Sequence, residues 1–206
     1  IEFTKHAFKA GADYGLAVTP YYNKPNQDGL INHFKIIAKS TSLKQIIYNI
    51  PGRSIVDLSL DSFKELNKIS NIVAIKDASN DISRPLLMRT FMKKDFNYLS
   101  GEDGTIAGFL AQGGHGCITV AGNVAPKLTS ELHKSWSQKQ WKKFDKINLQ
   151  LAPLSKVLFQ EPNPTPTKYA LSLMGFCTEE VRAPLIALSA KTKKDIKKVL
   201  KVLKYI

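Results

Sequence analysis

Lys76 has the clearest potential for covalent chemistry in this sequence. It ends the apolar run of residues 71–76 (NIVAIK), a pattern typical of a strand that is buried on both faces. Burial disfavours the charged form of an amine and lowers its pKa, and a neutral lysine can form a Schiff base with a carbonyl carbon. A lysine that leaves the sheet for solvent at a strand end would fit the same run. Its neighbours must therefore decide between the two interpretations.

Groups that could assist such a lysine follow another apolar run. Tyr48 lies near the end of residues 45–49 (QIIYN), 28 residues before Lys76, and Arg53 follows shortly after it. A phenol can move protons, and a guanidinium can hold a carboxylate through two parallel hydrogen bonds. An amine, a phenol and a guanidinium together are suited to carbonyl chemistry on substrates that carry carboxylates.

Five strand-like segments, separated by helical patterns, must position these groups. The strands are predicted over residues 14–20, 45–49, 72–76, 96–100 and 116–120. The helical patterns between them cover residues 30–40, residues 61–66 with Ser59 as the N-cap, residues 83–93 and residues 104–112. Because most strands are near-continuous apolar runs that recur every 20 to 31 residues, the sequence predicts repeated parallel βα units.

Repeated βα units favour a (β/α)₈ barrel, in which catalytic groups lie at the carboxyl ends of the strands. An open doubly wound sheet is the alternative, but no glycine-rich dinucleotide fingerprint follows any strand. We assign residues 1–124 to a partial barrel comprising strands four to eight. Residues 125–206 are assigned to a C-terminal helical extension, with helices predicted over residues 126–136, 138–159, 166–174 and 191–205.

The number of strands falls short of a closed barrel, which has eight strands and about 250 residues. The chain of 206 residues opens in a helical pattern without an initiator Met. A sheet that begins at its fourth strand would expose long apolar edges. We therefore expect an N-terminal part to precede Ile1, and only about the last five βα units to be present here.

Composition excludes several function classes. Lys and Arg (30) outnumber Asp and Glu (17) for a net charge of +13, and much of the excess lies in residues 191–204, which have the periodicity of an amphipathic surface helix. No aromatic and basic platform supports nucleic-acid binding, and no run approaches the roughly 20 apolar residues of a membrane span. Cys117 and Cys177 lack metal-ligand spacing and fit a reducing cytoplasm.

Six short motifs follow one another along the chain. They are residues 21–25 (YYNKP), 48–53 (YNIPGR), 75–78 (IKDA), 100–103 (SGED), 113–116 (GGHG) and 161–164 (EPNP). This ordered set resembles the pyruvate-dependent class I aldolases, the family of dihydrodipicolinate synthase and N-acetylneuraminate lyase. The resemblance covers essentially the whole chain, and the set is far more specific than any single motif.

The resemblance implies catalytic roles for three residues. Lys76 is similar to the lysine that binds pyruvate as a Schiff base, and Tyr48 to the proton donor and acceptor beside it. Tyr22 resembles a second relay tyrosine that reaches into the neighbouring subunit's site, which implies a homotetramer built as a dimer of dimers. The implied reaction condenses pyruvate with aspartate semialdehyde to 4-hydroxy-tetrahydrodipicolinate, in lysine and diaminopimelate biosynthesis, without a metal or organic cofactor.

The resemblance also implies binding roles. Arg53 resembles the residue that holds the carboxylate of the incoming aldehyde, and Gly101 and Ile118 match positions that line the pyruvate pocket through their backbone. Tyr21 matches a position at the lysine-feedback site of some members. Because a short aldehyde with its own carboxylate suits Arg53, the sequence favours this reaction over N-acetylneuraminate or keto-sugar-acid cleavage, the alternative within the family.

One element of the family pattern is absent. The family's Gly-Thr-Thr-Gly-Glu loop does not occur in these residues. The resemblance implies that this loop binds pyruvate and contributes to the proton relay. We therefore expect the 206 residues alone to lack a complete site, and a truncated, non-catalytic remnant is a further alternative.

The remaining polar candidates have structural interpretations. His115 lies between glycines and is predicted to be a turn histidine before a strand rather than a base. Glu102 and Asp103 are predicted to bind backbone donors or to line a subunit contact rather than to form an acid–base pair. Cys117 is predicted to be a buried small residue rather than a nucleophile.

Overall fold

The computed structural model describes residues 1–206 and contains one parallel β-sheet flanked by helices. Neighbouring strands in the sheet are consecutive in the chain, and every pair is parallel. This order confirms the predicted βα repeat and places the carboxyl ends of all strands along one edge. The strands are β1 (Tyr14–Val18), β2 (Lys44–Asn49), β3 (Ile72–Asp77), β4 (Asn97–Ser100) and β5 (Gly116–Cys117).

The chain divides into two compact units, Ile1–Ile118 and Thr119–Ile206. The first unit contains the sheet and the helices α1 (Glu2–Lys9), α2 (Gln27–Lys39), α3 (Pro51–Ser54), α4 (Leu60–Leu66), α5 (Arg84–Arg89) and α6 (Ile106–Ala111). The second unit is helical and contains α7 (Ala121–Val124), α8 (Pro126–Ser137), α9 (Trp141–Leu158), α10 (Thr165–Leu173) and α11 (Ala190–Val202).

Local capping explains where several helices begin. The side chains of Asn26, Ser59 and Ser189 accept hydrogen bonds from backbone N–H groups three residues further on, at the starts of α2, α4 and α11. Such caps satisfy N–H groups that have no partner within the helix. The prediction of Ser59 as an N-cap is therefore confirmed.

Some predicted boundaries are wrong. The fifth strand ends at Cys117 rather than at residue 120, because Val120 already has helical backbone angles (φ −81°, ψ −45°) and precedes α7. Helix α5 ends at Arg89, well before residue 93. The short helices α3 and α7 were not predicted, although Pro51 occupies the first position of α3, where its fixed φ favours a helix start.

The core of the first unit lies on one face of the sheet. Ile47 and Ile75 point to this face and pack in one cluster with apolar side chains of α2, α4, α5 and α6, among them Leu30, Phe34, Phe63, Leu66, Met88 and Phe109. These side chains are almost fully buried. Burial of this apolar surface is the main term that holds the helices against the sheet.

The opposite face of the sheet is more open. Leu16 and Val18 of β1 are 48% and 38% exposed, and Ile46 and Tyr48 of β2 are half-buried. The expectation of strands buried on both faces is therefore wrong for this face, because the helices of the cluster cover only the other one. The strands remain apolar on both faces, and the open face leaves room beside Tyr48 and Lys76.

The second unit has its own core. Helix α9 buries Ile147, Leu151, Leu154 and Leu158, and α11 buries Ile196 and Leu200 along its apolar stripe. The lysines of α11 occupy the other positions of that helix, as its periodicity predicts. None of the helices combines the length and the apolar character needed to cross a bilayer.

Ile75 tests the one-sided core. Ile75→Val removes one methylene from a side chain that is 1% exposed, so we expect the free energy of unfolding to fall by about 1 kcal/mol. Ile36 of α2 is 43% exposed, so Ile36→Val is the matched control and should change the free energy of unfolding by less than about 0.5 kcal/mol. Denaturant unfolding followed by circular dichroism measures both, and equal losses would contradict the assignment of the core to this face.

Candidate active site

The register of β2 and β3 brings the two central residues together. Tyr48 pairs with Lys76 near the carboxyl ends of both strands, and Lys76 Nζ lies 4.1 Å from the centroid of the Tyr48 ring. An ammonium over an aromatic face is attracted by the ring quadrupole. The two residues that sequence analysis joined by spacing and chemistry are therefore direct neighbours.

Burial controls the protonation of Lys76. Its pKa is lowered, mainly because desolvation disfavours the charged amine, while the Asp103 carboxylate raises it and the Arg53 guanidinium lowers it further. The net effect increases the fraction of neutral amine, the nucleophilic form. The proximity of Asp103 was not predicted, since sequence analysis assigned that carboxylate to backbone donors or to a subunit contact.

Tyr48 is held in its protonated form. Desolvation raises the pKa of the phenol, Arg53 lowers it and Glu102 raises it. A phenol with its usual pKa is protonated near neutral pH, and the desolvation effect, the largest of the three, shifts the pKa further in that direction. Tyr48 can therefore donate a proton to a group bound at Lys76 and take one back as a reaction proceeds.

Arg53 faces a cleft beside Tyr48. It lies in the short helix α3, which begins directly after Ile50 because Pro51 favours a helix start. The cleft has a volume of about 520 Å³, and its lining residues are Leu16, Val18, Tyr21, Tyr48, Ile50, Arg53 and Ser54. Its walls are largely apolar, with a guanidinium, two phenols and the Ser54 hydroxyl as the polar side-chain groups, an arrangement typical of small-molecule sites.

Gly101 gives the Lys76 side chain its space. A Cβ atom at this position would lie 3.1 Å from Lys76 Cε and 3.0 Å from Ala78 Cβ, closer than these atoms can comfortably approach. The Gly101 N–H donates to the Asp77 carbonyl at 2.7 Å, which holds the glycine against the end of β3. The backbone of Gly101 can therefore lie close to the Lys76 side chain, because glycine has no Cβ atom.

The other predicted site residues are more peripheral. Ile118 lies one residue beyond β5, and its N–H donates to the Ser100 carbonyl at 2.9 Å. Tyr21 lines the cleft with Tyr48 and Arg53, whereas Tyr22 is 89% exposed and does not line it. The structure thus groups Lys76, Tyr48, Arg53, Gly101 and Tyr21, and leaves Tyr22 in solvent.

A polar cluster that is buried except for Asp57 lies behind the site and was missed by sequence analysis. Asn49 Nδ2 donates to Asp57 Oδ1 at 2.7 Å and to Asp77 Oδ1 at 3.1 Å. The Arg84 guanidinium donates to Asp57 Oδ2 at 2.8 Å and to the Leu58 carbonyl at 2.7 Å. Asn49 and Asp77 directly follow Tyr48 and Lys76 in the sequence, and this adjacency could have indicated that they lie near the site. The sequence positions of Asp57 and Arg84 gave no such indication.

The remaining candidates have structural roles. The Nδ1 atom of His115 accepts from the Tyr98 N–H at 3.1 Å and its ring stacks on the Tyr98 ring, which confirms the turn histidine. Glu102 Oε1 accepts from the Gly104 N–H at 3.3 Å. Burial, with a contribution from Asp103, raises the pKa of Cys117 to about 12, so this thiol stays protonated. No group of three or more His, Cys, Asp or Glu side chains could hold a metal ion.

Comparison with known proteins gives this site a context. The 4-hydroxy-tetrahydrodipicolinate synthase of Bradyrhizobium diazoefficiens is 46% identical over 97% of this chain and 68% of its own. The crystal structure of dihydrodipicolinate synthase from Aquifex aeolicus superimposes with a TM-score of 0.96 at 38% identity, covering 99% of this chain and 70% of that one.

A second solved structure carries a ligand. It is the chloride-inhibited dihydrodipicolinate synthase from Acinetobacter baumannii complexed with pyruvate, which has a TM-score of 0.95 and 40% identity over 100% of this chain and 70% of that one. The sequence model of the dihydrodipicolinate synthetase family matches residues 1–203. With a match over nearly every residue and relatives of this similarity, the chain belongs to the dihydrodipicolinate synthetase family.

Proposed function

We propose that this protein condenses pyruvate with aspartate semialdehyde to give 4-hydroxy-tetrahydrodipicolinate, in lysine and diaminopimelate biosynthesis. The observation that carries the proposal is the half-buried Lys76 amine, with its lowered pKa, 4.1 Å from the Tyr48 ring at the carboxyl end of β3. The synthase name of the relatives and the pyruvate bound to the Acinetobacter baumannii enzyme support the same reaction.

The chemistry starts at the neutral amine of Lys76. The amine attacks the keto carbon of pyruvate, and the carbinolamine loses water to form an iminium ion on Nζ. Tyr48 donates the proton that leaves with the water, since its phenol is protonated near neutral pH and lies beside Lys76. The Tyr48 phenolate then takes a methyl proton, which regenerates the phenol and gives an enamine whose carbon is the nucleophile for the second substrate.

Arg53 directs the second substrate. Its guanidinium lines the cleft beside Tyr48 and can hold the carboxylate of aspartate semialdehyde through two hydrogen bonds. The enamine carbon attacks the aldehyde carbon, and the aldehyde oxygen takes the Tyr48 proton. The substrate amine then displaces Lys76 from the iminium carbon, and the proton released returns to Tyr48. This step closes the ring, releases the cyclic imine and regenerates the free lysine.

The remaining predicted residues complete the proposal. Gly101 and Ile118 contribute backbone to the pyruvate pocket, and Tyr21 belongs to a lysine-binding feedback site. The exposure of Tyr22 suits a residue that completes the proton relay of a neighbouring subunit, and on this basis we propose a homotetramer arranged as a dimer of dimers. The cysteine usage supports a cytoplasmic location.

We also propose that the five strands are consecutive strands of a (β/α)₈ barrel, with β1 to β5 as strands four to eight. Three features support this: the consecutive parallel order, the placement of Lys76, Tyr48 and Arg53 at the carboxyl edge, and the open apolar face that would line the barrel interior. In this arrangement residues 1–124 belong to the barrel and residues 125–206 form the helical extension.

Trapping of the Schiff base tests the role of Lys76. The full-length protein treated with pyruvate and borohydride should gain one reduced pyruvyl adduct, located on Lys76 by peptide mapping. Lys76→Arg should abolish the adduct. Lys93→Arg is the matched control, because burial also lowers the pKa of Lys93, yet its Nζ donates to the Ile69 and Ser70 carbonyls ahead of β3. An adduct that persists in Lys76→Arg would refute the assignment.

The proton-transfer role of Tyr48 is tested by Tyr48→Phe. We expect kcat to fall by about 10²-fold or more, since general acid–base groups contribute about 10²–10⁴, while borohydride still traps the slower-forming adduct on Lys76. Tyr98→Phe is the control: Tyr98 also has a pKa raised by burial but packs in the apolar core, and its kcat should be unchanged. A Tyr48→Phe enzyme with the wild-type kcat would remove Tyr48 from the mechanism.

Substitutions of Arg53 separate its charge from its geometry. Because Arg53 lowers the pKa of Lys76, Arg53→Gln should move the pH midpoint of pyruvate trapping upward, whereas Arg53→Lys should leave it in place. Both variants should raise the KM for aspartate semialdehyde by about 10- to 100-fold, because neither forms the bidentate, charge-assisted contact. Trapping rates from pH 6 to 10 and steady-state kinetics measure the two effects, and an unchanged KM would exclude carboxylate binding by Arg53.

A further inference from the structure

The cluster of Asn49, Asp57, Asp77 and Arg84 is built from charges that are costly to bury. Asp77 is 5% exposed and Arg84 is 7% exposed, whereas Asp57 is partly open to solvent. A buried ion pair seldom adds more stability than an apolar replacement, because desolvation offsets the Coulomb attraction. A contribution to stability alone therefore does not explain the cluster. Its role is better understood from the segments that it holds in place.

The cluster fixes the ends of the two strands that carry the chemistry. Asn49 and Asp77 are the residues directly after Tyr48 and Lys76, and they pair in the sheet register. The Ala78 N–H donates to the Asn49 carbonyl at 2.9 Å, and the Asn49 amide donates to Asp77. Successive strand residues point to opposite faces, so the cluster lies on the helix-covered face and Tyr48 and Lys76 on the open one.

The same cluster anchors the segment that carries Arg53. Residues 50–58 leave β2 and contain α3, and their far end returns to the cluster through Asp57 and Leu58. The Leu58 N–H donates to Asn49 Oδ1 at 3.1 Å, and the Leu58 carbonyl accepts from Arg84 at 2.7 Å. The segment is thus closed into a loop whose two ends meet at Asn49.

Arg84, at the start of α5, lies beside Asp57, Leu58 and Asp77. Its two terminal nitrogens bond the Leu58 carbonyl and Asp57, and its Nε lies 3.6 Å from Asp77 Oδ2 without a hydrogen-bond partner. Ser79 donates to the same Asp77 oxygen at 2.9 Å. A planar guanidinium can face three partners in this way, which a lysine ammonium on its flexible stem cannot reproduce.

We propose that Arg84 and Asp77, acting through Asn49 and Asp57, are positioning residues that fix Lys76, Tyr48 and Arg53 relative to one another. None of the four cluster residues lines the cleft, and strand alternation places Asn49 and Asp77 on the opposite face of the sheet from Tyr48 and Lys76. The inference rests on the proposed function, since it concerns the geometry of that reaction. A misplacement of about 1 Å in such a site can cost about 10²-fold in rate.

The test compares Arg84→Gln, Arg84→Lys and Asp77→Asn in the full-length protein. Borohydride trapping with pyruvate first counts the competent sites, so that kcat is expressed per trapped site and unfolded protein does not contribute. We expect kcat per site to fall by about 10- to 100-fold and the KM for aspartate semialdehyde to rise in all three variants. Arg84→Lys should fail to restore either parameter although it keeps the charge.

A milder variant and a control keep the test decisive if a buried substitution prevents folding. Asp57→Asn, at the partly exposed member, should mainly raise the KM for the aldehyde, because it loosens only the Arg53 segment. Asp61→Asn breaks an exposed ion pair with Lys64 in the same unit and should leave all parameters unchanged.

The outcomes distinguish the positioning role of the cluster from the proposed function. Wild-type kcat per site and KM in Arg84→Gln, Asp77→Asn and Asp57→Asn, with only a lower melting temperature, would reduce the cluster to a structural role and overturn the inference. Failure of the wild-type protein to trap pyruvate on Lys76 would instead overturn the proposed function itself.

Discussion

The pairing register of β2 and β3 is the constraint on which the candidate site depends. One register places Tyr48 beside Lys76 on the open face and Asn49 beside Asp77 on the helix-covered face. Because side chains alternate along a strand, a shift of β3 by one residue would turn Lys76 into the apolar core and expose Asp77. The irregularity in this pairing lies at Gln45 and Ile46, before the residues that carry the chemistry.

The two faces of the sheet have different roles, one in stability and one in the chemistry of the site. The apolar cluster of Ile47, Ile75 and the covering helices holds the strands, while the half-buried open face lowers the pKa of Lys76 and raises that of Tyr48. Desolvation causes both shifts, and both favour the neutral form that the proposed mechanism needs. The neighbouring charges of Arg53 and Asp103 act on Lys76 in opposite directions, so burial remains the dominant influence.

Sequence patterns were sufficient for the order of the βα units and for the grouping of Lys76, Tyr48 and Arg53. Buried parallel strands are near-continuous apolar runs, and the carboxyl ends of such strands meet at one edge. The same patterns could not show that Asp57 and Arg84 meet, because one lies in a loop and the other opens a helix, and only the fold brings them together. Nor could they show where β5 ends, since Ile118 and Val120 keep the apolar pattern while Val120 already has helical backbone angles.

Lys93 illustrates how little a lowered pKa says by itself. Burial lowers the pKa of this amine as it does for Lys76, but Lys93 Nζ donates to the carbonyls of Ile69 and Ser70 before β3. The hydrogen bonds of Lys93 engage its nitrogen with backbone oxygens, whereas the nitrogen of Lys76 lies over the ring of Tyr48. Burial thus lowers the pKa of two amines, one held by backbone carbonyls just before β3 and one at its carboxyl end, that differ in their access to an electrophile. Which of the two lysines reacts with a carbonyl compound is therefore determined by the accessibility of its nitrogen, a property of geometry rather than of acidity.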